Sequence, residues 1–182
     1  REGVKNFFNN FADAWSAVNN LLQGKVEASM QDVVRVGVNT IFGLGGVLDV
    51  ASEMGIEHHF EDFGQTLGHW GFGAGAYIVW PLLGPSTVRD TLGMPLDRAV
   101  SPALLINSGS TQVGLPGLQL VNVRAGLLGA GRVVDDIALD KYSFIRDAHL
   151  QRRRSLVFDG DPPPLPEPPE PPEPGASAPE PK

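Results

Sequence analysis

The sequence predicts an all-α body of short amphipathic helices followed by a proline-rich tail. Three observations support this class. Apolar residues recur at helical spacing in several segments, glycines punctuate those segments, and an extended piece at 77–80 is the one strand candidate. Eleven of the 16 prolines fall between Pro162 and Pro181, interleaved with glutamate. We therefore expect a helical domain over 1–158 and a disordered, polyproline-like tail over 159–182, because the tail has almost nothing apolar to bury.

The first predicted helix starts near Val4 and ends at Gly24, which suits a left-handed C-cap. Its apolar positions follow the i, i+3, i+4, i+7 spacing, being 4, 7, 8, 11, 15, 18, 21 and 22. Its opposite face carries asparagines in place of the usual charges: Asn6, Asn9, Asn10, Asn19 and Asn20. Because asparagine favours caps and turns, the helix is expected to break near Asn9–Asn10 and to be capped again at Asn19–Asn20. The alternative is an uncharged polar face that lines a lumen or passes lipid headgroups.

A second helix is expected over 25–42, stopped by the glycine cluster at 43–46, which lacks the lysine and spacing of a phosphate loop. Ser86 or Thr87 is the expected N-cap of a helix that follows Pro85 and runs towards Gly93. The remaining predicted helical segments are 47–54, 61–69, 97–106, 116–134 and 135–154.

Composition excludes several classes of function. The chain has 14 basic and 21 acidic residues, and most of the excess negative charge lies in the tail, so no basic field attracts nucleic acid. The absence of cysteine excludes disulfides, thiolate metal sites and cysteine nucleophiles. No apolar run approaches the roughly 18 residues of a spanning helix. The body can lie in or against a bilayer, but it is not expected to cross one.

One stretch is dense in titratable side chains, and a metal or enzyme hypothesis has to start there. It holds Glu57, His58, His59, Glu61, Asp62 and, further on, His69. Adjacent histidines point in different directions, and no helical His pair or defined ligand spacing is present. No Gly-x-Ser-x-Gly elbow or Ser/His/Asp order occurs either. We predict no catalytic residue, metal or cofactor, and expect Glu61 and Asp62 to place negative charge at a helix N-terminus.

Three further sets of residues each allow two interpretations. Cations at 152–154 complement the dipole of a final helical turn or attract anionic lipid headgroups. The aromatic residues of the first helix are core or membrane-facing: Phe7, Phe8, Phe11 and Trp15. Arg89 and Asp90 form a local ion pair or cap neighbouring backbone.

The stretch 61–90 organises the rest of the chain. Its first half contains five glycines: Gly64, Gly68, Gly71, Gly73 and Gly75. Because glycine loses the most backbone entropy on folding, such a run marks a bend, a close approach or a hinge. The run leads into the apolar segment Tyr77–Trp80 and is closed by Pro81 and Pro85. Together with Trp70 and Phe72, these aromatics suit a headgroup interface, so the stretch predicts a moving part that meets something apolar.

The same stretch resembles the MlaA (VacJ) family of outer-membrane lipoproteins, through "EDFGQTLGHWG" (61–71), "GAY" (75–77) and "PLLGPSTVRDTLG" (81–93). The resemblance extends to "NFFNN" (6–10), "AVNNLLQGK" (17–25), "VNTIFGLGGVLDVA" (38–51) and "DKYSFIRDAHLQRR" (140–153). It covers nearly the whole chain before the tail. The family's start, "NPLEGFNR", its signal peptide and its lipidated cysteine have no counterpart within these residues.

The resemblance implies short helices around a central passage, seated in the inner leaflet of the outer membrane on its periplasmic side, with a lipid anchor at an N-terminus absent from this chain. It implies removal of phospholipid misplaced in the outer leaflet, together with trimeric porins and a periplasmic lipid-carrier protein. In that reading Gly71, Gly73 and Gly75 are hinges of a gating loop, and Tyr77–Trp80 is its apolar blade. Asn6, Asn9 and Asn10 would line the passage. The alternative is a porin-associated membrane scaffold that moves no lipid.

Overall fold

The computed structural model describes residues 2–81, 83–100 and 140–165, and these are mostly helical. In chain order the elements are α1 (Glu2–Leu22), α2 (Val26–Ile41), α3 (Val50–Glu53), α4 (Phe63–His69), β1 (Tyr77–Trp80), β2 (Gly84–Thr87), α5 (Val88–Ala99) and α6 (Lys141–Val157). The predicted helix at 116–134, parts of the segments 97–106 and 135–154, and the tail from 166 onward lie outside the described residues.

The predicted helical class is confirmed, and most described helices lie where the periodicity places them. The break expected near Asn9–Asn10 is wrong, because α1 runs unbroken to Leu22. Gly24 then adopts φ 78°, as expected of a C-cap. The asparagine side chains do not compete with the helix, since their hydrogen bonds go largely to other segments of the chain.

The extended piece at 77–80 is confirmed as β1, but its partner β2 was not predicted. The two strands form an antiparallel hairpin in which Tyr77 pairs with Thr87 and Trp80 with Gly84. Thr87 is the N-cap of α5, and its side chain accepts a hydrogen bond from the Asp90 amide. The helix continues past Gly93 and through Pro95 to Ala99, so it is longer than expected.

The described interior is polar. Its buried hydrophobic side chains are Ala17, Ala51 and Val157. The buried polar and charged residues are Asn10, Asp13, Ser16, Asn19, Asn20, Gln23, Ser29, Asp32, Arg35, Asn39, Glu61, Gln65, Thr66, Ser86, Thr87 and Arg89. Lysine, glutamate, arginine and aspartate are almost never buried in water-soluble proteins unless they are paired. The ion pairs and hydrogen bonds of these buried residues therefore explain how this interior is stabilised.

The exterior is correspondingly apolar. The exposed apolar side chains of α2 are Val26, Met30, Val33, Val34 and Ile41, which form one stripe at helical spacing. The turn that follows continues it with Phe42 at 69% and Leu44 at 75% exposure. Exposed apolar residues also occur on α1, the hairpin, α5 and α6. None of the described helices is long and apolar enough to cross a membrane.

Candidate functional site

The deepest polar contacts lie where α1 and α2 face each other, and we call this set the polar seam: Asp13, Asn20, Asp32, Arg35, Asn39 and Asp49. Arg35 is its centre, with Nε 3.1 Å from Asp13 Oδ2 and Nη2 3.1 Å from Asp49 Oδ1. Its Nη1 also donates to the Ile56 carbonyl at 2.6 Å. Arg35 is 4% exposed, and it joins α1, α2 and the segment around α3 through charge-assisted hydrogen bonds.

The second half of the seam is built on Asp32, which is fully buried. The Asn20 amide donates to Asp32 Oδ2 at 2.9 Å, and the His59 backbone N–H donates to Asp32 Oδ1 at 3.1 Å. Burial is the largest influence on this carboxyl and raises its pKa. The seam therefore fixes the segment 56–61 against both long helices.

A further chain of polar side chains ties α4 to the end of α1. Gln23 Nε2 donates to Glu61 Oε2 at 2.9 Å and to Thr66 Oγ1 at 3.1 Å, while Thr66 donates to Asn19 Oδ1 at 2.8 Å. Lys25 pairs with Glu61 at 3.0 Å. Burial nevertheless raises the pKa of Glu61, because desolvation outweighs those partners.

The titratable stretch is divided among separate structural roles. His58 Nδ1 lies 2.7 Å from Asp13 Oδ1, Glu61 belongs to the α4 chain of hydrogen bonds, and His69 is exposed. Asp62 is the N-cap of α4 and accepts from the Gln65 amide, which confirms its predicted place at a helix N-terminus. Within 2–81, 83–100 and 140–165, no three His, Asp or Glu side chains are grouped so as to hold a metal ion.

The basic triplet at 152–154 is also divided. Arg153 turns inward, with Nη1 2.6 Å from Asp62 Oδ2 and Nε 2.9 Å from Asp90 Oδ2, so that it joins α6 to α4 and α5. Burial opposes its charge, but the two carboxylates hold the pKa of Arg153 above its ordinary value. Burial alone would raise the pKa of Asp90, and the cations Arg153 and Arg89 outweigh it and lower that pKa. The predicted Arg89–Asp90 ion pair is present at 2.9 Å.

The glycines of the central stretch do three different things. A Cβ on Gly93 would lie 2.8 Å from the Gly64 backbone nitrogen, so α4 and α5 meet in backbone contact. Gly71 and Gly75 have φ of 93° and 71°, a conformation that a side chain disfavours. Gly73 has open space around its Cβ position. Hence the left-handed conformations of Gly71 and Gly75 define the backbone of the glycine-rich loop (residues 70–76), whereas Gly73 has no close neighbour at its Cβ position.

A cavity of about 400 Å³ lies behind the glycine-rich loop. The loop side contributes Gly71, Phe72 and Gly73, and α6 contributes Leu150 and Val157. Phe72 is 60% exposed. The loop therefore has room on both sides of its central residues.

The hairpin that follows the loop presents an apolar edge. Val79 is 57% and Leu83 is 50% exposed. Trp80 anchors its indole by donating from Nε1 to Thr91 Oγ1 at 3.1 Å. Tyr77 packs edge-on between Tyr142 and His149 of α6, with both ring centroids 5.9 Å away, and burial raises its pKa. The blade predicted at 77–80 thus lies against α6 on one side and is open on the other.

The asparagine face of α1 makes contacts within the protein. Asn6 donates to the Val47 carbonyl and Asn10 to Thr40 Oγ1, each at 3.1 Å, while Asn9 is exposed. Their predicted role as a passage wall stays a prediction. The predicted aromatic cluster of α1 is half-buried, and Trp15 donates from Nε1 to Asp97 at 2.8 Å.

Sequence reasoning missed Asp13, Asp32, Arg35 and the inward role of Arg153. A signal was available for Asp32 and Arg35. Asp32, Arg35 and Asn39 recur at helical spacing on the side of α2 opposite its apolar stripe. A charged stripe on a helix is normally interpreted as facing solvent. That interpretation misses a charged stripe that is buried against another helix.

Comparison with known proteins places this arrangement in context. The family model described as "MlaA lipoprotein" matches residues 1–156. The "Intermembrane phospholipid transport system lipoprotein MlaA" of Shigella flexneri is 33% identical over 171 residues, covering 92% of this chain and 67% of that protein. An uncharacterised protein of Rickettsia bellii is 32% identical over 155 residues, covering 85% of this chain and 61% of its own length. The chain thus spans roughly three fifths to two thirds of these curated relatives.

A solved structure agrees with the fold. It comes from work on the structural basis for maintenance of bacterial outer membrane lipid asymmetry, and it superposes with a TM-score of 0.73 at 30% identity. The match covers 86% of this chain and 79% of that one. The mostly helical architecture is therefore shared with a known protein.

Proposed function

We propose, from the premise that this chain belongs to the MlaA lipoprotein family, that it serves intermembrane phospholipid transport. The specific task is removal of phospholipid misplaced in the outer leaflet of the outer membrane, which maintains lipid asymmetry. The relatives named after phospholipid transport, in Shigella flexneri and Escherichia coli, support this assignment. It involves no catalytic chemistry.

The observation that carries the proposal is the inverted polarity of the body. An aqueous protein buries apolar side chains because each one fully removed from water contributes about 1.5–3 kcal/mol. Here the long apolar residues of α2 face outward, while Arg35 and Asp13 are buried and form an ion pair. This distribution suits hydrocarbon as the surrounding solvent, where polar groups have to find partners inside the protein.

The proposed setting is the one that the family resemblance implies, and the same distribution of polar and apolar residues supports it. The body would sit laterally in the inner leaflet, on the periplasmic side, with its apolar stripe among acyl chains and an N-terminal lipid anchor outside this chain. Its helices would surround a passage whose polar wall includes the face of Asn6, Asn9 and Asn10. Such a wall gives a headgroup partners in place of water, and so reduces the desolvation cost of passing hydrocarbon. Trimeric porins and a periplasmic lipid-carrier protein would act on either side of it.

The glycine-rich loop is the proposed gate. Gly71, Gly73 and Gly75 would let the hairpin swing, with Tyr77 and Trp80 as its apolar blade. Support comes from the open space at Gly73 and the cavity behind the loop. In the hairpin, Tyr77 against α6 and the Trp80 hydrogen bond hold β1, whereas β2 is fixed by the buried Thr87 that caps α5.

The experiment measures outer-leaflet phospholipid exposure in cells that lack the native protein. They are complemented with the full-length protein containing this chain, either unmodified or carrying Gly73→Pro. Proline fixes its own φ and restricts Phe72, so the loop stiffens and lipid exposure should change. Gly73→Ala is the matched control, since its methyl group meets no neighbour.

Expression and porin association are followed in parallel. Altered lipid exposure with porin association intact supports a gated lipid path. If Gly73→Pro and Gly71→Pro proteins fold and behave as the unmodified protein does, the gate is wrong. The scaffold that binds a porin and moves no lipid then becomes the better account.

A further inference from the structure

A cleft of about 790 Å³ opens beside the polar seam, between the start of α2, the segment 57–61 and the end of α6. It is separate from the glycine-rich loop and its cavity. Its floor includes Asn20 and Glu61, which are 1% and 5% exposed. The end of α6 contributes Ser155 and Leu156 to the opposite wall.

Two acceptor atoms on side chains that line this cleft are buried and have no hydrogen-bond partner within the described part of the chain. They are Asn20 Oδ1 and Gln31 Oε1. Asn20 is held by its other end, since Nδ2 donates to Asp32 and to the His59 carbonyl. A buried acceptor left without a donor costs free energy, so these atoms are matched to a ligand that supplies N–H groups.

The charges of the lining also favour a ligand that carries N–H groups, because they are mostly negative. Glu27, Glu57, Glu61 and Asp159 are four carboxylates, against one ammonium from Lys25 in the described lining. That ammonium is already shared, at 3.0 Å from Glu61 and 2.5 Å from Asp159. The cleft therefore favours a cation that donates hydrogen bonds.

The cleft also continues into an apolar region. This region favours a cation that carries an apolar chain. A second cleft of about 640 Å³ shares Glu27, Gln31 and Glu57 with the first. It extends along the exposed stripe of α2, where Met30 and Val34 line it together with Ile56. A ligand that spans both clefts has a charged head and an apolar chain.

We propose that this double cleft binds phospholipids whose headgroup ends in a primary ammonium, as in phosphatidylethanolamine. The ammonium lies among the carboxylates and unpartnered acceptors, Ser155 faces the phosphate, and an acyl chain follows Met30 and Val34. This assignment rests on the proposed function and names the lipid class that it selects. The phosphate alone does not explain the site, since four carboxylates would repel an anionic headgroup.

The test uses the full-length protein reconstituted in vesicles of equimolar phosphatidylethanolamine, phosphatidylglycerol and phosphatidylcholine with identical acyl chains. The lipids that remain bound after extraction are quantified by mass spectrometry. We expect phosphatidylethanolamine to be enriched about 1.4- to fivefold per contacting carboxylate, the range of exposed ion pairs. Enrichment should fall towards the bulk ratio in the double variant Glu27→Gln, Glu57→Gln. Both residues are exposed, so folding should persist.

Glu53→Gln is the matched control, because Glu53 is an exposed glutamate on α3 outside both clefts. Equal retention of the three lipids by the unmodified protein overturns the inference, as does enrichment of phosphatidylglycerol. Equal retention of phosphatidylcholine and phosphatidylethanolamine also overturns it, because a quaternary ammonium has no N–H to donate.

Lipid transfer between vesicles is measured on the same samples. Transfer without headgroup preference overturns this inference alone, whereas absence of any lipid binding or transfer overturns the proposed function as well.

Discussion

The polar seam and the glycine-rich loop differ in how each is held in place. In the seam, Arg35 meets two carboxylates and a carbonyl at 2.6–3.1 Å, and Asp32 is held from two sides. In the loop, Gly73 contacts no side chain at its Cβ position, and the neighbouring Phe72 is 60% exposed. One region is fixed by buried charge, and the other keeps its shape through backbone conformation.

This contrast fits a protein that works in an apolar solvent. Hydrocarbon offers no water to compensate a polar group, so paired charges at the seam have no competing partner. The same solvent gives the apolar hairpin little reason to pack inward, because acyl chains are as apolar as a protein core. The polar seam is therefore held by polar contacts, and the hairpin that is proposed to move makes mainly apolar ones.

The largest expected effect comes from Arg35→Met. The substitution leaves Asp13, at 1% exposure, without its main cation, and an uncompensated buried charge costs about 3–5 kcal/mol. Urea unfolding in detergent micelles, followed by tryptophan fluorescence, measures the free energy of unfolding. Arg152→Met removes an exposed arginine and is the control. A seam that tolerated Arg35→Met as well as the control would not be the rigid region.

A smaller effect is expected from Gly75→Ala in the glycine-rich loop. Gly75 has φ 71°, and an added Cβ would lie 3.0 Å from Val88 Cβ. The left-handed conformation alone costs a residue with a side chain about 1–2 kcal/mol. Gly73→Ala should stay within about 0.5 kcal/mol of the unmodified protein, as an unconstrained surface position does. The same unfolding assay compares the two. Equal losses would show that the loop is not held by its backbone conformation.

The smallest effect concerns pH and His58, which is partly exposed at the edge of the seam. A hydrogen bond to Asp13 is the largest cause that raises the pKa of His58, against the opposing effect of burial. Because the folded pKa lies above the unfolded value of about 6.5, the stabilisation is fully present below that pH. It is lost as pH rises through the folded pKa.

The measurement is the melting temperature of the unmodified protein and of His58→Gln from about pH 5.5 to about pH 9. The gap between the two should be widest at the acidic end and should close at the alkaline end. Taking the difference cancels the buried carboxyls common to both proteins, such as Asp32, whose raised pKa also favours the folded state at low pH. A gap that widened with rising pH would contradict the assigned ion pair.

Local features were predictable because they depend on neighbours in the chain. The end of α1 at Gly24, the Thr87 cap and the extended segment 77–80 follow from backbone preferences of a few residues. The strand β2 was missed because Pro85 demotes its segment as a strand, and only pairing with Tyr77–Trp80 makes it one. The glycines at 71, 73 and 75 were recognised together as one run, whereas the difference of Gly71 and Gly75 from Gly73 depends on φ and, at Gly75, on contact with Val88.

The sequence by itself determined the two-faced character of the long helices, their approximate ends and the family resemblance. Periodicity states that α2 has an apolar and a polar face, but it does not say which face meets the rest of the protein. Only the tertiary structure decided that, by bringing Arg35 to Asp13 from 22 positions away and Arg153 to Asp62 from 91 positions away. A charge is costly to bury alone and tolerated in a pair. The inside of this protein is therefore set by contacts between segments that are distant in the chain.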